Sequence, residues 1–230
     1  MGRPDKEPSG DWQYWRETDR EEWRGAGMEK DFYQYEREAR ADGHTLICGC
    51  DEAGAGPLAG PVCAAAVVLP LGAEISGLND SKQLTEKKRE ALFPVIQAAA
   101  LDWAVAWVDA AEIDATDILS ARLKAMQLAV ESLKNPPDFA LVDGNRDKGK
   151  TAAITVPHRC IVKGDSLSAS IAAASVLAKV SRDHRMQELA EEYPQYQFDR
   201  HKGYGTKLHY QLLREYGPSP IHRRTFLKNL

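Results

Sequence analysis

Three apolar, strand-like runs in this chain each stop at an acid. Leu46–Cys50 runs into Asp51 and Glu52, Pro137–Asn145 (PDFALVDGN) stops at Asp143, and Arg159–Ser166 (RCIVKGDS) ends on Gly164 and Asp165. Short apolar runs bounded by turn residues read as buried strands. Asp and Glu are poor strand residues and costly to bury unpaired. Singly, each acid reads as a turn former or helix cap. Together they point to an α/β sheet that gathers its strand ends at one edge, where open sheets of this class bind ligands. Four carboxylates at one edge repel one another unless a cation intervenes. The donors are all oxygen, which favours Mg²⁺ over zinc. Two such ions across a phosphodiester would activate a water and support the leaving oxygen.

The rest of the chain reads as alternating strands and helices. Met28–Arg40 has helical spacing, with Phe32, Tyr35 and Ala39 on one side. Pro61–Leu69 follows the first strand so closely that an antiparallel neighbour is expected. Thr85 is placed to cap a helix. Asp102–Val108 alternates as a strand, and Asp114–Leu133 reads as one long helix. Ser168–Ala190 is a helix of small residues able to lie close to a sheet, and Gly205–Tyr216 is a further helix. The expected order is β-β-α-β-α-β-β-α-α, an α/β domain with a mixed sheet.

The 230 residues are 43% apolar, enough for a real core. There is no apolar run of about 18 residues, so no membrane span is expected. The charged N-terminus resembles neither a signal nor a transit peptide, which points to the cytoplasm. Cys48, Cys50, Cys63 and Cys160 form no C-x-x-C pair, and Cys48 and Cys50 alternate onto one core face; a reducing compartment suits them. The net charge of −4 is unevenly spread: residues 41–143 carry −8 and residues 144–230 carry +7. A basic third beside an acidic middle suits a polyanion held over a carboxylate site.

The blocks CDEAGAGPLAGPV, NDSKQL, LVDGN, VKGDSLSASIAAASVLAKVSRD and HKGYGT, in that order, resemble the signature blocks of bacterial ribonuclease HII. The resemblance runs from Leu46 to the C-terminus. It implies a ribonuclease H-like fold, with a mixed five-stranded sheet flanked by helices and an N-terminal helical extension. Residues 1–43 would be tail and extension, and residues 44–230 the catalytic domain. It implies an endonuclease that uses Mg²⁺ or Mn²⁺ to cleave RNA in RNA–DNA hybrids, and 5′ to ribonucleotides embedded in duplex DNA. The products would carry 3′-hydroxyl and 5′-phosphate ends, and the enzyme would be a monomer. The metal-binding acids of the family match Asp51, Glu52, Asp143 and Asp165, and its ribose-sensing tyrosine matches Tyr204. Lys82 and Lys163 match lysines that could contact phosphate. Arg182, Asp183 and His184 could touch substrate or only cap and pair; Ser168 and Ser175 read as packing residues. His158, His201 and His222 read as surface or substrate-side residues.

The loop Gly54-Ala55-Gly56 departs from the family's usual G-R-G. Its glycines leave main-chain N–H groups open to a nucleic-acid backbone, but a guanidinium is lost at position 55. Lys82, Lys202 or Lys207 could compensate.

Overall fold

The computed structural model describes residues 31–78 and 84–228. Lys82 lies outside them, as do residues 28–30 of the expected first helix. Residues Phe32–Leu230 make one compact unit. Its elements are α1 (Gln34–Ala41), β1 (Ile47–Ala53), β2 (Val62–Val68), α2 (Glu86–Ala99), β3 (Asp102–Val108), α3 (Ala110–Ala115), α4 (Ile118–Glu131), β4 (Phe139–Asp143), β5 (His158–Ile161), α5 (Ala169–Glu192), α6 (Phe198–His201) and α7 (Lys207–Tyr216).

The five strands form one mixed sheet in the order β3-β2-β1-β4-β5. β1 and β2 pair antiparallel, as their short link predicts, and β3 pairs antiparallel with β2 after α2, whereas β1–β4 and β4–β5 pair parallel, the second of these pairs joined by an irregular loop over 144–157. Sheet order therefore reverses direction beside β1. Alternation sorts the side chains into two layers. Val62, Ala64, Ala66 and Val68 of β2 pack with Cys48, Cys50 and the α4 residues Ala125 and Met126. Cys63, Ala65 and Val67 pack with α2 and α5 on the other face.

The small residues of α5 matter because that helix lies almost on the sheet. A Cβ on Gly49 would sit 2.2 Å from the Ser170 carbonyl carbon. The start of α5 is fastened to α1. Glu36, buried in α1, accepts from the Ser168 and Ser170 hydroxyls, both at 2.6 Å, and from the Ser170 N–H at 3.0 Å. A carboxylate at a helix N-terminus is favourably placed.

Three expectations are corrected. The long helix over Asp114–Leu133 is two helices, because Asp117 turns out of helical geometry to accept from the Ser120 N–H at 3.0 Å and so caps α4. The last strand stops at Ile161: Lys163 takes a left-handed conformation, φ 57°, and a 3₁₀ turn over Gly164–Ser166 follows. The final helix starts at Lys207, capped by Thr206. Thr85 caps α2 as expected, accepting from the Lys88 N–H. No helix among the described residues is long and apolar enough to cross a membrane.

Candidate active site

Asp51 and Asp143 lie side by side at the C-terminal end of the parallel pair. Cys50 is the register partner of Val142, so Asp51 and Asp143 follow side by side on adjacent parallel strands. Asp143 is opposite Ile161 of β5, and Asp165 stands in the turn just beyond, 2% exposed. Asp143 Oδ1 accepts from the Gly164 N–H at 2.7 Å, which ties that turn to the β4 end.

Asp51 is the most confined of the four. It is 4% exposed and accepts from the Glu52 N–H at 2.7 Å. The Ser175 hydroxyl of α5 also hydrogen-bonds it, so Ser175 is more than the packing residue its sequence context suggests. Burial holds the Asp51 carboxyl well above the usual carboxylate range, and the neighbouring Glu52 and Asp143 push it further the same way. A nearby cation would favour the ionised form of such a group.

Strand alternation sends Glu52 to the opposite face from Asp51, toward α4. There Arg122 Nη2 contacts Glu52 Oε1 at 2.6 Å. Accordingly, no group of three His, Cys, Asp or Glu side chains among the described residues stands ready as a cation cage. The donor set, oxygen only and crowded around a carboxyl that resists ionisation, fits a hard divalent cation in its chemistry.

Two buried arginines shape the glycine loop. Arg223 donates to the carbonyls of Gly54 at 2.6 Å, Ala55 at 2.9 Å and Gly60 at 2.9 Å. Arg182 donates to the carbonyls of Ala59 at 3.2 Å, Pro61 at 3.0 Å and Lys202 at 3.0 Å. In a trans peptide the N–H points opposite to the preceding carbonyl. With the Gly54 and Ala55 carbonyls drawn onto Arg223, the N–H groups of Ala55 and Gly56 are aimed away from it, at the exposed side of the loop. Arg182 is fully buried, so the reading of it as a substrate contact is replaced by a structural role. Asp183 pairs with Lys179 at 2.6 Å and His184 with Glu90 at 2.9 Å.

The reason for the glycines is also sharper than expected. Gly54 has φ +94°, and a Cβ there would lie 2.0 Å from Arg182 Nε; Gly56 has nothing within 4 Å of the same position. Gly54 is glycine for the protein's own packing. Gly56 has no such internal reason and faces open space.

Tyr204 projects from the loop after α6, 42% exposed, with Lys179 Nζ 6.0 Å and Arg182 Cζ 5.9 Å from its ring centre. Histidines brace this loop from inside, which corrects the surface reading of His201 and His222: both are buried. The His209 Nδ1–H donates to the Tyr204 carbonyl at 2.9 Å, leaving Nε2 to accept from the Nε2–H of His222 at 3.0 Å. His222 Nδ1 in turn accepts from the Ser219 N–H at 2.9 Å. Every nitrogen is satisfied when both rings are neutral, and burial, the largest influence on each, lowers both pKa values to about 4. His201 is likewise lowered by burial; its Nε2 donates to the Tyr196 carbonyl and its Nδ1 accepts from the Gly203 N–H. Lys163 is exposed beside Asp165. Arg223 was missed because its carbonyl partners lie more than 160 positions away in sequence, and the I-H-R-R ending that contains it has no spacing that names them; His209 was missed because no residue pattern marks its bonds to the Tyr204 carbonyl and to His222.

Residues 48–229 match the family model described as ribonuclease HII. The chain is 56% identical over 181 residues to the ribonuclease HII of Idiomarina loihiensis, covering 79% of this chain and 95% of that one. Among solved structures, the ribonuclease H2 of Pyrococcus horikoshii superposes with a TM-score of 0.64 at 28% identity, over 79% of this chain and 93% of the other. A Bst ribonuclease HIII in complex with Mn²⁺ shares the fold, with a TM-score of 0.59 at 19% identity, over 87% of this chain and 70% of its own. The ordered strand-end acids, the mixed five-stranded sheet and the match over most of its length agree: this chain belongs to the ribonuclease HII family of ribonuclease H hydrolases.

Proposed function

We propose that the chain is a divalent-metal-dependent endoribonuclease that cleaves RNA in RNA–DNA hybrids. It also nicks duplex DNA 5′ to an embedded ribonucleotide, leaving 3′-hydroxyl and 5′-phosphate ends. Its role is ribonucleotide removal, as a monomer in the cytoplasm. The observation that carries this reading is Asp51, a buried carboxyl pressed by two other acids at the end of a parallel strand pair.

Asp51, Glu52, Asp143 and Asp165 would hold Mg²⁺ or Mn²⁺, one ion or two. Bound there, the metal supplies charge stabilisation at the phosphate and lowers the pKa of the attacking water. The chain's own residues position the substrate. Ser175 and the Glu52 N–H fix the Asp51 carboxylate, and the Gly164 N–H fixes Asp143. The Ala55 and Gly56 N–H groups offer donors to a backbone phosphate or a 2′-hydroxyl. The open space over Gly56 lets that backbone come close. The half-exposed Tyr204 ring can stack on the sugar–base unit that carries the 2′-hydroxyl. Exposed Lys163 adds a point charge for phosphate, and Lys82 is proposed for the same task on the family resemblance alone. No covalent nucleophile is required.

The test uses two DNA duplexes of identical sequence, one with a single ribonucleotide, incubated with the full chain and Mg²⁺. A nick 5′ to the ribonucleotide in the first duplex alone supports the reading. Equal cutting of both duplexes, or of neither, overturns it.

A further inference from the structure

Three arginines surround this site, and they differ in how well they are satisfied. Arg182 and Arg223 spend their donors on backbone carbonyls from within the core. Arg122 does not. Its Nη2 contacts Glu52 Oε1 at 2.6 Å, its side chain is 29% exposed, and Glu52 is 10% exposed. Its Nε is buried without a hydrogen-bond partner, so the guanidinium is not locked on all sides as a purely structural arginine would be. It reaches Glu52 from α4, on the sheet face opposite to Asp51 and its Ser175 contact.

Resting on the proposed function, we propose that Arg122 is a positioning residue that competes with the divalent cation for Glu52, and that it turns to a substrate phosphate once the cation has taken the carboxylate. A guanidinium and a divalent cation cannot share one partly buried carboxylate without repulsion. When a cation draws Glu52 round the strand end toward Asp51 and Asp143, Arg122 loses its anion beside the strand end that carries the acids. Phosphate is the partner whose geometry a guanidinium matches best. Ala55 carries no charge, so a released Arg122 would offer substrate a guanidinium that position 55 does not. The two exchanges are linked: substrate that holds Arg122 strengthens cation binding, and the cation strengthens substrate binding by the same factor.

The test is calorimetric titration of the full chain with Mn²⁺ alone, for the unaltered chain, Arg122→Gln and Arg122→Lys, alongside the KM for an RNA–DNA hybrid at saturating Mn²⁺. Removing a competitor tightens Mn²⁺ binding, so Arg122→Gln should bind about three- to thirtyfold more tightly, the range expected for one charge-assisted contact. Arg122→Lys should fall between, and it carries the test if the glutamine variant does not fold. KM should rise in Arg122→Gln while its Mn²⁺ affinity improves, a pair of opposite changes that a merely structural role does not produce. Unchanged or weaker Mn²⁺ binding in both variants overturns the inference, even where the unaltered chain cleaves the hybrid normally. Failure of the unaltered chain to cleave would instead overturn the functional reading.

Discussion

The Arg223 guanidinium donates to the Gly54 carbonyl at 2.6 Å, across 169 positions of sequence. That bond and its neighbour on the Ala55 carbonyl aim the loop N–H groups outward. Replacing Arg223 by Gln would orphan buried carbonyls of Gly54, Ala55 and Gly60. The expected loss is about 2–4 kcal/mol in urea unfolding. Arg223→Lys keeps the charge but not the fork, so hybrid binding should weaken even where the fold survives. Full stability and full binding in both variants would contradict the orienting role.

The two loop glycines should respond differently. Gly54→Ala meets Arg182 Nε at 2.0 Å with φ +94°, so roughly 2–4 kcal/mol of stability should be lost. Gly56→Ala meets open space, so its unfolding free energy should stay within about 0.5 kcal/mol. Its affinity for a ribonucleotide-containing duplex should nevertheless fall, as measured by fluorescence anisotropy. Equal effects of the two substitutions on stability would sink the distinction.

Acid should loosen the Tyr204 loop. His209 and His222 titrate near 6.5 when unfolded but at about 4 when folded. Between those values the unfolded chain binds more protons than the folded one. The stability from keeping the rings neutral is therefore complete above pH 6.5 and lost progressively as pH falls toward 4. Unfolding at pH 7 and pH 5 should differ by roughly 2 kcal/mol for each ring, on the order of 4 kcal/mol for the pair. His222→Gln should flatten that dependence, and an unaltered slope in the variant would argue against the pair as its source.

Tyr204 is half-exposed, and its side chain contributes little to the core. Tyr204→Ala should leave the unfolding midpoint nearly unchanged. Cleavage at a single ribonucleotide should drop by about ten- to a hundredfold, the scale of one lost stacking contact. Cleavage unaffected by the substitution would remove Tyr204 from substrate sensing.

Much of this architecture is legible in the sequence. The β2 and β3 patterns PVCAAAVVL and DWAVAWV announce strands, and the short link after Glu52 announces the antiparallel pairing of β1 with β2. The acids are legible because an acid ending an apolar run conflicts with local propensity, and such conflicts concentrate at working sites. The break before α4 is hidden: apolar periodicity runs straight through Thr116 and Asp117, and only the capping geometry of Asp117 reveals it. Arg122 is also hidden. It sits in an ordinary amphipathic helix, and only the side-chain alternation of β1 across the sheet brings Glu52 to it. The buried arginines bond to carbonyls that are mostly distant in sequence, and the buried histidines to main-chain atoms of the local turns; no residue pattern encodes either set of partners.

The most direct test is Mn²⁺ binding and cleavage measured together on the unaltered chain and Asp143→Asn, with a DNA duplex containing one ribonucleotide. Removing one of the crowded carboxylates should weaken Mn²⁺ binding at least tenfold, roughly the worth of one charged ligand, and abolish the nick 5′ to the ribonucleotide while the duplex still binds. Cleavage that survives in Asp143→Asn with Mn²⁺ affinity intact would contradict a carboxylate-held metal as the source of activity.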